Sequence, residues 1–178
     1  DTIPDLTVET DQGSFSLHEF VGDNWAILFS HPKDFTPVCT TEFGAVAQLD
    51  AEWQKRGTKV IGISVDGVED HKKWKTDIEK VGGANVRVVY IVGPDKKLKL
   101  SMTYPMNVGR NFAEVLRALD GLQIAAKENV ATPANWQVGQ DVVVPVAVSD
   151  EDAIAKYGAI DTKLPYLRMA KIPADGSG

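Results

Sequence analysis

The chain has 178 residues, 43% of them hydrophobic and 25% charged, with a formal net charge of −6. That is enough apolar material for one domain with a normal core, and the acidic balance speaks against a nucleic-acid-binding face. No apolar run approaches the roughly 20 residues of a membrane span, no signal-peptide pattern is present, and the single cysteine, Cys39, excludes an intrachain disulfide and fits a reducing compartment, the cytoplasm being the expected one.

In chain order, Ile3, Leu6, Val8, Phe15 and Leu17 alternate loosely with polar residues around a turn at Asp11-Gln12-Gly13, which predicts an N-terminal hairpin. Trp25-Ala26-Ile27-Leu28-Phe29 is a short apolar run, the pattern of a strand buried on both faces. A long helix is expected from about Pro37. Thr36 serves as its N-cap, and the proline suits the first helical position, where its missing N–H costs nothing. Phe43, Val46, Ala47, Leu49 and Trp53 line one side of that helix, and Lys55-Arg56-Gly57 ends it with cations and a glycine stop.

Val60 to Val65 reads as a second buried strand. Asp66 and Glu69 have the spacing of a capping box for a helix that runs to about Val81 and ends at Gly82-Gly83. Val86 to Val92 is a third strand. Gly93-Pro94-Asp95-Lys96 turns it into a fourth, where Leu98, Leu100, Met102 and Tyr104 alternate with polar residues. Arg110 to Lys127 carries a helical apolar stripe. From Asn129 onward Pro133, Pro145, Pro165 and Pro173, with two short apolar runs, suggest an arm-like extension rather than a second core. The expected division is residues 1–128 as the main domain and 129–178 as a C-terminal arm.

The order strand, helix, strand, helix, strand, strand, helix joins a βαβ unit to a hairpin. That is a thioredoxin-like sandwich, an α/β fold with a mixed sheet and helices on both faces, here with an N-terminal extension and a C-terminal arm. In that fold the turn from the first core strand into the first core helix lies at the carboxyl end of the sheet, and Cys39 is on that turn.

By default a lone cysteine is a small buried hydrophobe. A place in the first turn of a helix reverses that default, because unpaired N–H groups and the positive dipole end favour a thiolate over a thiol. Thr36 stands three residues before Cys39, where a Cys-x-x-Cys motif would need its other thiol, so dithiol exchange within the chain is excluded. Peroxide reduction, thiol transfer and redox sensing remain. His18, His31 and His71 are scattered without metal-ligand spacing, and no phosphate-binding glycine loop is present, so neither a metal nor a nucleotide cofactor is expected.

Pro32-x-x-x-Thr36-x-x-Cys39 matches the peroxiredoxin active-site motif, and the whole stretch from His31 to Glu42 resembles the one-cysteine, peroxiredoxin-6-like branch of that family. Gly93 to Leu100, Tyr104-Pro105 with Gly109-Arg110-Asn111-Phe112, Ala131 to Trp136, and Leu164 to Arg168 agree with it, so the resemblance covers nearly the whole chain. It implies a thiol-dependent peroxidase for hydrogen peroxide and organic hydroperoxides, with Cys39 as the peroxidatic cysteine passing through a sulfenic acid. Thr36 would hydrogen-bond the peroxide, and Pro32 would shield the thiolate from water. Arg87 would supply a fixed positive charge beside the sulfur, Glu42 would orient Arg87, and His31 would stand at the mouth of the pocket. With no resolving cysteine, the reductant is an external thiol, glutathione or a thioredoxin-like protein. In relatives a C-terminal arm packs across a partner subunit, so the apolar run from Asp141 to Val148 implies a homodimer. A competing reading is a peroxide sensor or redox-switched, chaperone-like protein in which oxidation of Cys39 changes assembly.

Two departures from the family stand out. Some relatives carry a Gly-x-Ser-x-Gly element and are described as phospholipases. This chain has Gly22-Asp23-Asn24-Trp25-Ala26, with His18 and Asp95 at the partner positions, so no serine-dependent acyl transfer is expected. Relatives also have an extra strand and helix before the strand at Val86, where only Gly82-Gly83-Ala84-Asn85 follows Val81 here. A true deletion and an omission from the given sequence both explain this. The sequence's start at Asp1, without a methionine, favours omission, and the Cα spacing from Val81 to Val86 decides between them.

Overall fold

The computed structural model of the protein describes residues 1–10, 12–30, 37–64, 87–105 and 107–172. Its contacts gather into two compact units, Asp1–Phe112 and Ala113–Gly178.

In the first unit, β1 (Thr7–Thr10) and β2 (Gly13–Ser16) form the expected antiparallel hairpin, with Thr7 opposite Ser16 and Thr10 opposite Gly13. Leu17 does not extend it, because the helix α1 (Leu17–Val21) begins there. The Ser16 hydroxyl accepts the Glu19 N–H at 3.2 Å, and the Asp5 carboxylate accepts the Ser16 O–H at 2.6 Å and the His18 N–H at 3.0 Å. Ser16-x-x-Glu19 has the spacing of a capping box, a stronger local signal than the loose alternation.

Four further strands make the central sheet, in the order β4 (Thr58–Ile63), β3 (Trp25–Ser30), β5 (Arg87–Val92), β6 (Leu98–Tyr104). Strands β3 and β4 are parallel, and the other two pairings are antiparallel. A parallel pair needs a crossover, which contains α2 (Pro37–Gln48) and α3 (Asp50–Lys55). The single helix expected here is broken at Leu49, whose ψ of 10° leaves the helical range. Gly57, at φ 54°, closes the crossover at the expected glycine stop. The helix expected from Asp66 to Val81 and the bridge to Val86 lie outside the described residues.

Successive residues of a strand point to opposite faces, and in β3 all of Ala26, Ile27, Leu28 and Phe29 are buried. Ala26 and Leu28 share a cluster with Leu17 and Val21 of α1, Val92 of β5 and the partly buried Ile61 of β4. On the other face the Phe29 ring meets Phe43 of α2 at 5.0 Å and Phe112 at 6.3 Å between centroids. Helical residues therefore cover both faces of a mixed sheet, as the sequence predicts.

The second unit differs from the expected division and corrects one expectation. Its helix α4 (Phe112–Glu128) was to close the main domain, with the boundary after residue 128, yet the contacts divide at 112/113. The reason is local. Arg117 Nη1 donates to Trp136 O at 3.3 Å, Gly121 lies against Thr132, and Ile124 packs on the cluster that follows. That cluster is the correction. Val130, Trp136, Val142, Val144, Ala153 and Ala170 form a buried core where an arm without one was expected. It sits on an antiparallel sheet of β7 (Val142–Val144), β9 (Leu167–Ala170) and β8 (Ile160–Leu164), in that order, and on the helix α5 (Asp150–Tyr157). Pro145 follows β7 and Pro165 lies in the turn between β8 and β9, so these prolines end elements without preventing a sheet. The apolar run at Asp141 to Val148 thus buries Val142 and Val144 within its own chain. Buried Arg168 ties the unit together by donating to Asp150 Oδ1 at 2.5 Å and to the carbonyls of Pro145 and Val148, each at 2.7 Å.

A Cβ placed on Gly62 of β4 would lie 2.6 Å from Phe43 Cζ. Gly62→Ala should therefore lower stability by about 1–3 kcal/mol, read as a smaller urea midpoint at unchanged slope. An unchanged midpoint would mean that the ring moves aside freely. A second expectation concerns acid. The Ser16 hydroxyl, and after it the His18 N–H, hold the Asp5 carboxyl below its ordinary 3.8. A lowered folded value contributes stability that is present above the unfolded value and lost as pH falls through the folded one. Wild type should melt above Asp5→Asn at pH 7, and the gap in Tm should close as pH drops below 3.8.

Candidate active site

The end of β3 and the start of α2 set the site. Cys39 is the third residue of α2, in its first turn, and is fully buried. Glu42, three residues on, shares its face of the helix. Strand β5 runs antiparallel to β3, so its first residue, Arg87, stands level with the carboxyl end of β3. A strand-end arginine is ordinarily a surface residue. Arg87 instead has no exposed surface. Its Nη2 lies 3.6 Å from Cys39 Sγ, and its Nε donates to Glu42 Oε2 at 3.3 Å.

A fourth side chain completes the cluster. Arg110, just ahead of α4, gives Glu42 Oε1 its backbone N–H at 2.8 Å and its Nε at 3.1 Å, and gives Oε2 its Nη2 at 2.7 Å. The remaining nitrogen, Nη1, donates to Ser30 O at 2.7 Å and Val88 O at 3.1 Å. The guanidinium carbon stands 5.0 Å from the Phe29 ring centroid, within cation–π range. Glu42 thus accepts four hydrogen bonds among the described residues, and it joins the arginine on the sulfur to an arginine fixed to two strand ends.

Charge explains why the four belong together. Two buried guanidinium groups need compensating anions. Glu42 supplies one. With a neutral thiol the set carries one positive charge, and with a thiolate it carries none.

Of the six residues singled out from the sequence, the structure brings Cys39, Glu42 and Arg87 together, while His31, Pro32 and Thr36 lie outside the described residues. Arg110 has no role in the sequence reading, although a signal existed. A cation immediately before a helix opposes the positive end of the dipole, so it needs an acidic partner from elsewhere. The residues aligned with the phospholipase element are engaged locally. His18 Nε2 lies 2.8 Å from Ile3 O, Asn24 Nδ2 donates to Val21 O at 3.3 Å, and Asp95 holds Lys99 Nζ at 2.7 Å. Among the described residues no group of three or more His, Cys, Asp or Glu is placed to hold a metal ion.

One thiol at the start of a helix, at the carboxyl end of a thioredoxin-like sheet and against an arginine, defines a class of single-cysteine thiol enzymes. Comparison with known proteins narrows the class. The AhpC/TSA family matches residues 1–147. The 1-Cys peroxiredoxin A of Oryza sativa subsp. japonica is 44% identical, over 97% of this chain and 96% of its own. The structure of a yeast mitochondrial 1-Cys peroxiredoxin matches with a TM-score of 0.89 at 40% identity, covering 97% of this chain and 98% of its own. Peroxiredoxin 6 of Arenicola marina matches with a TM-score of 0.89 at 38% identity, covering 97% of each chain. The chain belongs to the AhpC/TSA family, in its one-cysteine, peroxiredoxin-6-like branch, and is a thiol-dependent peroxidase. The rice alignment spans 212 positions against 178 residues here, so at least 34 of its positions have no residue of this chain.

Arg110→Ala removes two of the four hydrogen bonds that Glu42 accepts among the described residues, those from Nε and Nη2, and leaves the backbone N–H in place. It should cost about 3–5 kcal/mol in chemical denaturation, the usual result of breaking a buried ion pair. Arg110→Lys, which lacks the planar fork, should recover only part of that. A loss below about 1 kcal/mol, the scale of a surface pair, would contradict a central role for Arg110.

Proposed function

We propose that Cys39 is the peroxidatic nucleophile and that Arg87, Glu42 and Arg110 hold it ready. The observation that carries this reading is the Arg87 guanidinium, 3.6 Å from the sulfur inside a buried ion cluster. The thiolate attacks the terminal oxygen of hydrogen peroxide or an organic hydroperoxide. An S–O bond forms, the O–O bond breaks, and the departing oxygen leaves with the electron pair and takes a proton to become water or an alcohol. The sulfur, oxidised by two electrons, is then a sulfenic acid. Arg87 stabilises charge moving onto the departing oxygen, Glu42 fixes the direction of Arg87, and Arg110 fixes Glu42. Within this reading Thr36 binds the peroxide, Pro32 keeps water from the sulfur and His31 borders the entrance, roles that rest on the motif.

One cysteine cannot resolve its own sulfenic acid. An external thiol condenses with it, releasing water, and a second thiol attacks the mixed disulfide and frees Cys39. Glutathione and a thioredoxin-like protein both fit that chemistry, and the yeast relative's thiol resolving mechanism runs via glutathione/thioredoxin systems. A homodimer is supported by apolar side chains left at the surface of the second unit, among them Val146 at 71% exposure and Tyr166 at 67%. A reducing compartment such as the cytoplasm suits a single free thiol. No helix among the described residues is long and apolar enough to cross a membrane, and the yeast relative is mitochondrial.

Cys39→Ser should abolish peroxide consumption with every thiol reductant tried. Arg87→Ala, with its secondary structure intact by circular dichroism, should lower kcat/KM for peroxide by about 100-fold or more, the effect of losing one preorganised charge donor. Retained turnover in Cys39→Ser would overturn the reading. Full activity in Arg87→Ala would remove Arg87 from it.

A further inference from the structure

We propose that Ser30 is a positioning residue for the peroxidase reaction, acting through the two arginines. The inference rests on the assignment of Cys39 and Arg87 above. Ser30 is the last residue of β3. The ladder between β3 and β5 pairs Ala26 with Val92 and continues to Phe29 with Val89. The next pair in register would be Ser30 with Val88. There the ladder stops and a side chain takes over. The Val88 N–H donates to the Ser30 hydroxyl at 3.0 Å, while the Ser30 carbonyl accepts Arg110 Nη1 at 2.7 Å.

This exchange has two effects. The Val88 N–H belongs to the peptide unit that joins Arg87 to Val88, so the serine bond fixes the plane from which the Arg87 side chain departs toward Cys39 Sγ. The hydroxyl also satisfies that N–H without the Ser30 carbonyl. The carbonyl is then free to form, with Val88 O, the pair of acceptors that seats Arg110 Nη1. Without the hydroxyl, a part-buried N–H either stays unsatisfied or draws the Ser30 carbonyl back into the ladder and away from Arg110. Both outcomes move an arginine that Glu42 holds. The geometry asks for a short hydroxyl side chain at a position where an apolar strand residue would otherwise serve.

The test compares Ser30→Ala with the isosteric pair Ser30→Thr and Ser30→Val, alongside wild type and Arg87→Ala. The rate of Cys39 oxidation by hydrogen peroxide is followed in a single turnover, without reductant. Alkylation by iodoacetamide, which needs the sulfur but breaks no O–O bond, is followed in parallel. Ser30→Ala and Ser30→Val should oxidise roughly 10- to 100-fold more slowly, the scale expected when a catalytic group is misplaced by a fraction of an ångström to an ångström. Alkylation should slow much less, and Ser30→Thr should stay close to wild type. Thermal melts confirm that each variant is folded, and the Thr/Val comparison stands even if Ser30→Ala folds poorly. Wild-type oxidation in folded Ser30→Ala or Ser30→Val, beside a slow Arg87→Ala, would overturn this inference alone. Equal slowing in Ser30→Thr and Ser30→Val, or equal slowing of oxidation and alkylation, would overturn it too. A wild-type rate in Arg87→Ala would instead bring down the assignment on which it rests.

Discussion

The carboxylate of Glu42 is the interaction on which the site depends. It takes hydrogen bonds from Arg87 on one side and from Arg110 on the other, and all three groups are buried. Arg87 reaches the sulfur because its Nε is held by that carboxylate. Arg110 is held in turn by the carbonyls of Ser30 and Val88, so the strand ends, the helix start and the segment ahead of α4 share one polar core. A buried ion cluster of this kind is costly to form and costly to break, which makes it weak as a source of stability and strong as a means of fixing geometry. The Phe29–Phe43–Phe112 contacts beside it supply the apolar setting, and the Arg110 guanidinium lies within cation–π range of one of those rings.

The first unit was legible wherever one physical signal dominated. The apolar run at Trp25 to Phe29 reads as a two-faced strand because four successive side chains are buried, and the turn chemistry at Gly93 to Lys96 delivers the hairpin between β5 and β6. Competing signals caused the misses. The hydroxyl of Ser16 captured the Glu19 N–H and started a helix where alternation suggested strand. The break at Leu49 had no marker of its own, since no proline or glycine stands there.

The second unit was misread because its prolines were given more weight than its valines. Proline forbids a ladder hydrogen bond only at its own position. Val142, Val144 and Ala170 could still pair and bury themselves around Trp136 between those positions. Of the residues in the cluster, Cys39, Glu42 and Arg87 were singled out through the motif and the resemblance, whereas Arg110 and its neighbour Ser30 were not. Both meet backbone atoms at the strand ends, Arg110 the Ser30 and Val88 carbonyls and Ser30 the Val88 N–H, and such directions leave no trace in residue type. Seen from the sequence, Ser30 is one more small residue after an apolar run.

The charge count of the cluster has a consequence for the whole reaction cycle. Among the described residues, two arginines and one glutamate set one positive charge beside the sulfur. The thiolate balances it, whereas the neutral sulfenic acid and the mixed disulfide do not. In the proposed cycle both intermediates leave that charge unmatched within this group of four side chains. One unproductive state satisfies the same count. A second peroxide would convert the sulfenic acid to a sulfinate, which again carries one negative charge and is not reversed by simple thiols. In the proposed cycle reductant and oxidant therefore compete for one sulfur atom, and the sulfinate is the oxidised state that matches the thiolate's charge.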